Sequence, residues 1–134
     1  MKKNLLLLIV LVFGFSALLK AQTVADWKEK NDFHKIMAQT FHPAEEGNFQ
    51  PIRDRIDEMV AKAEAWQNSP IPADIKDVKG MKKNLGKLVK LTKKLQKNIK
   101  AGVPDQAVLK QITALHDVFH NIVGICHPEE EHGH

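Results

Sequence analysis

Apolar residues recur at alternating spacings of three and four along most of the chain, which is the repeat of amphipathic helices. The pattern predicts four helices: one over residues 24–42, one that begins at Pro51, one over about residues 74–101 and one that begins at Pro104. The clearest heptad is in the third helix, at Val78, Met81, Leu85, Leu88, Thr92, Leu95 and Ile99. The sequence therefore predicts an all-α fold, an up-down-up-down antiparallel four-helix bundle.

The same spacing predicts the inward faces of the first two helices. The apolar stripe of the first helix contains Trp27, His34, Met37 and Phe41, with Phe33 and Ile36 at its margins. His34 is thus expected near the middle of an apolar seam, where a histidine is unusual. Pro43 is expected to end this helix. The stripe of the second helix is Ile52, Ile56, Met59, Ala63 and Trp66.

The beginning of the chain has the features of a secretory signal peptide over residues 1–21. Two lysines precede an apolar run over residues 5–19, and Ala21 is a small residue suited to cleavage. Cleavage would leave the bundle over residues 22–128 and an acidic, histidine-containing disordered tail over residues 129–134. The mature protein is then expected in the periplasm or secreted, with no stable membrane anchor. An uncleaved anchor is the alternative.

Charge and cysteine content narrow the classes of function. The leader carries three lysines, so its removal leaves 17 basic residues against 16 acidic ones and lowers the formal net charge from +4 to +1. Ten lysines lie between Lys76 and Lys100 with no aromatic residue among them, which favours a solvated face and no nucleic-acid partner. Weak attraction to anionic surfaces is the alternative. Cys126 is the single cysteine, so an intramolecular disulfide is excluded.

Histidines cluster in the last predicted helix. His116, His120 and His127 follow one another at intervals of four and seven, beside an apolar seam that ends at Cys126. A histidine pair one turn apart chelates a transition-metal ion, and His34 from the facing first helix would add a third nitrogen. Copper, zinc, nickel or iron would suit such ligands. The alternative for each histidine alone is a half-exposed or hydrogen-bonded side chain, and for Cys126 plain packing.

The segment AGVPDQAVLKQITALHDVFHNIVGICH resembles the last helix of the cytochrome c′ and cytochrome b562 superfamily of exported four-helix bundles. Val123 to His127 occupy the frame of the Cys-x-x-Cys-His haem-attachment motif, with Val123 in place of its first cysteine. The resemblance implies His127 as an axial ligand, Cys126 as the attachment cysteine and Met37 as the other axial ligand. It implies a b-type or singly attached haem, electron transfer, a redox partner protein and a homodimer.

An enzyme is not expected, because the chain has no glycine-rich phosphate loop, no serine in a nucleophile context and no pair of predicted helices that each carry the Glu-x-x-His di-iron motif. Three functions stay open. The first is a small haem protein for electron transfer or ligand binding. The second is a haem-free bundle that binds or senses copper, zinc or nickel. The third is an interaction or stress module that uses the lysine-rich helix on an acidic partner.

Overall fold

The computed structural model describes residues 21–128, so the predicted tail and all but the last residue of the predicted signal peptide lie outside the described residues. The described part contains helices α1 (Lys28–Glu45), α2 (Gln50–Asn68), α3 (Val78–Lys100) and α4 (Asp105–Cys126). Each helix packs against the next in the chain, and α1 closes the ring against α4. The predicted all-α four-helix bundle is confirmed. None of these four helices is both long enough and apolar enough to cross a membrane.

An aromatic cluster occupies the centre of the core. Trp66 of α2 lies edge-on to Trp27 at 5.7 Å and beside Phe33 of α1 at 5.6 Å, measured between ring centroids. Phe119 of α4 approaches Phe33 and Trp66 at 6.1 Å each. Aromatic pairs in this distance range stabilise a core beyond the area they bury. The predicted stripe of α2 is confirmed, since all five of its residues are buried.

The predicted stripe of α1 needs a correction. Phe33, Ile36 and Met37 are buried, whereas His34 is exposed. Neighbouring residues on a helix point about 100° apart, so Phe33 and His34 cannot both lie at the centre of the inward face. Burial of a phenylalanine side chain is favourable by about 1.5–3 kcal/mol, and an imidazole would need a polar partner there. The apolar residue therefore takes the inward position.

Helix α1 is ended by a glycine, Gly47, and not by Pro43. Helix α3 is likewise ended by a glycine, Gly102. Pro43 lies inside the last turn of α1, which continues to Glu45. The helix then closes with Gly47 at φ 86°, where the Asn48 N–H donates to the Pro43 carbonyl at 2.8 Å and the Gly47 N–H to Ala44 at 3.1 Å. This pair of bonds is a Schellman motif, and Gly102 closes α3 in the same way. The predicted end of the helix, at residue 42, was therefore three residues too early.

The beginning of α3 also differs from the prediction. The helix begins at Val78, not near Asp74, because the Asp77 carboxylate caps it by accepting the Gly80 N–H at 2.8 Å. Asp74 instead accepts the N–H of Val24 at 3.1 Å and ties the segment before α1 to this loop. Five of the seven predicted heptad residues are buried; Val78 is exposed and Ile99 is half-buried.

Candidate metal-binding site

The interface between α1 and α4 is where most of the described histidines gather. The backbones of these two helices come close at fewer positions than those of the other neighbouring pairs. Aromatic rings and imidazoles fill the wider gap. Phe33, His34 and Phe41 of α1 meet His116 and Phe119 of α4 there. His34, His116 and His120 therefore border one interface.

His116 and His120 form a touching pair on α4. They lie one helical turn apart and so project from the same face of the helix. Their Nε2 atoms are 3.2 Å apart, and the ring planes are inclined by 82°. One nitrogen must donate a proton to this contact and the other must accept it. The contact therefore requires that at least one of the two imidazoles is neutral.

The same separation suits two nitrogen ligands of one metal ion. Zinc binds imidazole nitrogens at about 2.0–2.1 Å, and two such bonds at a tetrahedral angle hold the nitrogens about 3.3 Å apart. The 3.2 Å between the Nε2 atoms of His116 and His120 is close to that value. A metal ion could therefore replace the shared proton if the two rings rotate so that both nitrogens point at the ion.

Two phenylalanines pack against the pair. The ring of Phe41 stacks on the imidazole of His116 with centroids 4.0 Å apart and planes inclined by 18°. Phe119 approaches His120 edge-on at 6.1 Å. Sequence reasoning placed Phe41 in the core but missed its contact with His116, because that contact depends on the register between α1 and α4. Aromatic support of this kind limits the orientations that the two imidazoles can take.

The pKa of His116 is lowered from its usual value. Burial of the ring is the main cause, and repulsion by a charged His120 is the second. Asp117 and Glu45 act in the opposite direction with smaller effect. The imidazole of His116 is therefore neutral at neutral pH, and a neutral imidazole is the form that binds metal ions.

His34 lies at the same interface but not within the core. Its ring stacks on Phe119 with centroids 5.2 Å apart and planes inclined by 17°. His34 also lines a groove of about 270 Å³ together with Lys30, Asn31, Phe119, His120 and Val123. His34 and His120 thus border one groove from opposite helices. Within residues 21–128, however, no three His, Cys, Asp or Glu side chains are grouped closely enough to hold a metal ion.

His42 lies beside the histidine pair, at the end of α1. Its Nδ1 is 3.3 Å from the Oε2 of Glu45, and its side chain is 66% exposed. Both His42 and Glu45 are close enough to affect the pKa of His116, in opposite directions. His42 lies in the last turn of α1.

Cys126 and His127 lie at the far end of α4. His127 follows the last residue of the helix, and its N–H donates to the Val123 carbonyl at 3.0 Å. Cys126 is half-buried against the core, and burial raises the pKa of its thiol. A raised pKa keeps the thiol protonated and unreactive at neutral pH. This environment accords with plain packing, the alternative left open for Cys126.

Met37 and His127 are not brought together as a pair of axial ligands. Met37 is buried within the core. Helices α1 and α4 are antiparallel, and Phe41 contacts His116 while His34 contacts Phe119. Met37 therefore lies level with a part of α4 that is roughly ten residues before His127. At 1.5 Å per residue, this is a separation of roughly 15 Å along the bundle. The two side chains therefore do not fit one haem iron in this arrangement.

Comparison with known proteins adds no candidate for the site. No family model, no curated protein and no solved structure matches the chain. The resemblance to the cytochrome superfamily stays a prediction based on residues 101–127.

Proposed function

We propose that this protein binds a transition-metal ion between α1 and α4. His116 and His120 are the primary ligands, and His34 supplies a third nitrogen from the facing helix. The observation that carries the proposal is the 3.2 Å between the Nε2 atoms of His116 and His120. Two imidazoles at this spacing on one face of a helix already have the separation that chelation of a single ion needs.

The ligand chemistry favours copper(II), zinc or nickel. Neutral imidazole nitrogens suit these ions, whereas calcium and magnesium prefer oxygen ligands. Among divalent first-row ions, copper(II) binds most tightly to a given nitrogen site. The lowered pKa of His116 supports binding further, because little energy is spent on removing a proton from its ring.

His34 joins the site by rotation of its side chain. The residue is exposed, so its ring is not confined by packing on all sides. Its stacking on Phe119 must be given up, and a metal–nitrogen bond compensates for that loss. An ion held by His34 and the α4 pair would link the first helix to the last across the groove that His34 and His120 border.

Binding of the ion is itself the proposed role, as sequestration or sensing in the periplasm or outside the cell. No catalytic role is proposed. A site at the surface of the bundle can exchange its ion with the surroundings, which suits a metal carrier or sensor. An ion that links α1 to α4 also stabilises the folded chain, because the metal binds that state in preference to the unfolded one.

The test is a calorimetric titration with copper(II) and, separately, zinc. His132 and His134 of the tail are first replaced by Gln in every protein, so that tail imidazoles do not contribute. We expect one ion per chain in this background. Replacement of both His116 and His120 by Gln should weaken metal binding by about 100-fold or more. Mutation of a residue that only supports a ligand already lowers metal affinity by about 10–100-fold, and these two residues are the ligands themselves. His34→Gln should weaken it by about tenfold.

The matched control is His42→Gln, which removes a neighbouring exposed imidazole that is not a proposed ligand. Copper(II) electron paramagnetic resonance should report nitrogen hyperfine coupling that changes in the His116 and His120 variants and stays the same in the control. Unchanged metal affinity in the variant that lacks both His116 and His120 would refute the proposal. Equal losses in the control and in the His116 and His120 variants would refute this ligand set.

A further inference from the structure

Positive charge is concentrated on one helix of the bundle. Helices α1, α2 and α4 each carry basic and acidic residues in near balance. Helix α3 carries nine lysines and no acidic residue. We call these nine residues the lysine face; they are Lys79, Lys82, Lys83, Lys87, Lys90, Lys93, Lys94, Lys97 and Lys100.

The lysine face is a continuous strip along the outside of α3. At 100° per residue, its members fall within an arc of about 140°, and from Lys79 to Lys100 they extend over about 31 Å. All nine residues are exposed. The opposite side of α3 is the buried stripe that includes Met81, Leu85 and Leu88. The helix therefore divides cleanly into a core side and a cationic side.

Little of this charge is neutralised within the protein. Among the ion pairs of residues 21–128, two involve the lysine face, Lys93 with Glu64 and Lys100 with Asp57. Both acids belong to α2, so both pairs lie at one edge of the strip. The other seven lysines have no such partner in the part of the chain that the structure describes. Their charge remains available to an external anion.

We propose that the lysine face binds the surface of an anionic lipid bilayer, with α3 lying parallel to the membrane. Charge complementarity and shape support this partner. A straight strip of about 31 Å can contact many headgroups at once. Lysine carries a compact charge on a flexible stem, so it can adjust to phosphate groups that move within a fluid surface.

The composition of the strip argues against a folded protein as the partner. Protein interfaces are enriched in aromatic residues and arginine at their centres and depleted in lysine. Helix α3, which carries the lysine face, contains no aromatic residue and no arginine. For the same reason it has no side chain on which single-stranded bases could stack. A folded protein or a single-stranded nucleic acid is therefore a poorer match than a lipid surface.

The proposed binding is electrostatic and does not involve insertion. Each lysine near an anionic surface strengthens binding by about fivefold. The attraction fades over a Debye length, which shortens from about 10 Å at 0.1 M salt to about 3 Å at 1 M. Binding should therefore be strong at low salt and lost at high salt.

The test is sedimentation of the purified chain with vesicles, in the presence of a chelator so that metal binding has no influence. Vesicles of phosphatidylcholine mixed with phosphatidylglycerol are compared with vesicles of phosphatidylcholine alone, which report any adsorption by apolar segments. The face variant replaces four unpaired lysines by Gln, namely Lys83, Lys87, Lys90 and Lys94. A control variant loses the same charge elsewhere, by replacement of Lys30, Lys35, Lys62 and Lys110.

We expect the wild-type chain and the control variant to sediment with the anionic vesicles at low salt. The face variant should bind at least about 100-fold more weakly, because four fivefold effects multiply. Equal weakening in both variants would overturn the proposal, since net charge alone would then explain binding. Absence of binding to anionic vesicles would also overturn it, as would tighter binding to polyglutamate or duplex DNA than to the vesicles.

Discussion

Phe41 of α1 and His116 of α4 lie face to face, with ring centroids 4.0 Å apart and planes inclined by 18°. Phe41 is only 5% exposed and so belongs to the core. Because it also contacts His116, it connects the core to the candidate metal site. Its ring covers one side of the imidazole and keeps water from it. Burial is the main reason that the pKa of His116 is lowered, and Phe41 supplies part of that burial.

Replacement of Phe41 by Leu should raise the pKa of His116 toward its usual value. The smaller side chain leaves one face of the imidazole open to water, which favours the charged form. Metal affinity should fall by about tenfold, because the imidazole loses the contact that orients it. The pKa is measured by following the ring-proton resonances of the histidines by NMR as the pH changes.

The sign of the pH effect follows from the direction of the shift. Because the folded pKa of His116 lies below the unfolded one, the unfolded chain takes up the proton first as the pH falls. The neutral imidazole therefore persists in the folded protein to lower pH, and so does metal binding. The Phe41→Leu variant should lose its metal at higher pH than the wild type. Phe49→Leu, a half-buried phenylalanine before α2, is the control, and an unchanged His116 pKa in Phe41→Leu would contradict this account.

The register between α1 and α4 also yields a prediction about haem. Met37 and His127 lie roughly 15 Å apart along the bundle, so they cannot both bind one iron without a large rearrangement. If the chain is reconstituted with haemin, Met37→Leu should leave the absorption spectrum unchanged, including the Soret band. A low-spin, six-coordinate spectrum that is lost in both Met37→Leu and His127→Gln would contradict this spacing and favour the haem protein. His120→Gln serves as the comparison within the candidate metal site.

The fold could be predicted because large apolar residues repeat at helical spacing over four long segments. The stripe of α2 needed no correction, since its five predicted members are all apolar and all buried: Ile52, Ile56, Met59, Ala63 and Trp66. The stripe of α1 was right at Trp27, Met37 and Phe41, which are buried, and wrong at one position, His34. Phe33 and His34 are adjacent, and the prediction assigned the inward direction to the histidine. Spacing alone could not decide between them, but the apolar side chain gains far more from burial.

The candidate site could be predicted only in part. The one-turn spacing of His116 and His120 is a local property of α4 and follows from the sequence. The stacking of Phe41 on His116 depends on the register of α1 along α4, and that register is set by packing of the whole core.

The end of α1 was missed for a different reason. Proline is tolerated in the last turn of α1, and Gly47 supplies the positive φ that actually closes the helix.

The two glycines inside α3 provide a matched pair for testing the cap at its beginning. The N–H of Gly80 donates to the Asp77 carboxylate at 2.8 Å, and a Cβ at this position would overlap that carboxylate. A Cβ on Gly86 would meet only Gln67, at 3.7 Å from its Nε2, which is an ordinary contact. Gly86→Ala should therefore stabilise the protein by about 0.5–1 kcal/mol, the usual difference between glycine and alanine within a helix.

Gly80→Ala should not show that gain, because the Asp77 side chain has to move and the cap is lost. Loss of an N-cap costs about 1 kcal/mol, so the unfolding free energy of Gly80→Ala should lie about 1 kcal/mol below that of Gly86→Ala. Thermal unfolding should separate the two variants by about 4–8 °C, as expected for a domain of this size. In a protein that already carries Asp77→Ala, there is no cap left to lose. Gly80→Ala should then no longer reduce stability by disrupting the cap. Equal stabilisation by the two Gly→Ala substitutions would show that the Asp77 cap contributes little to the beginning of α3.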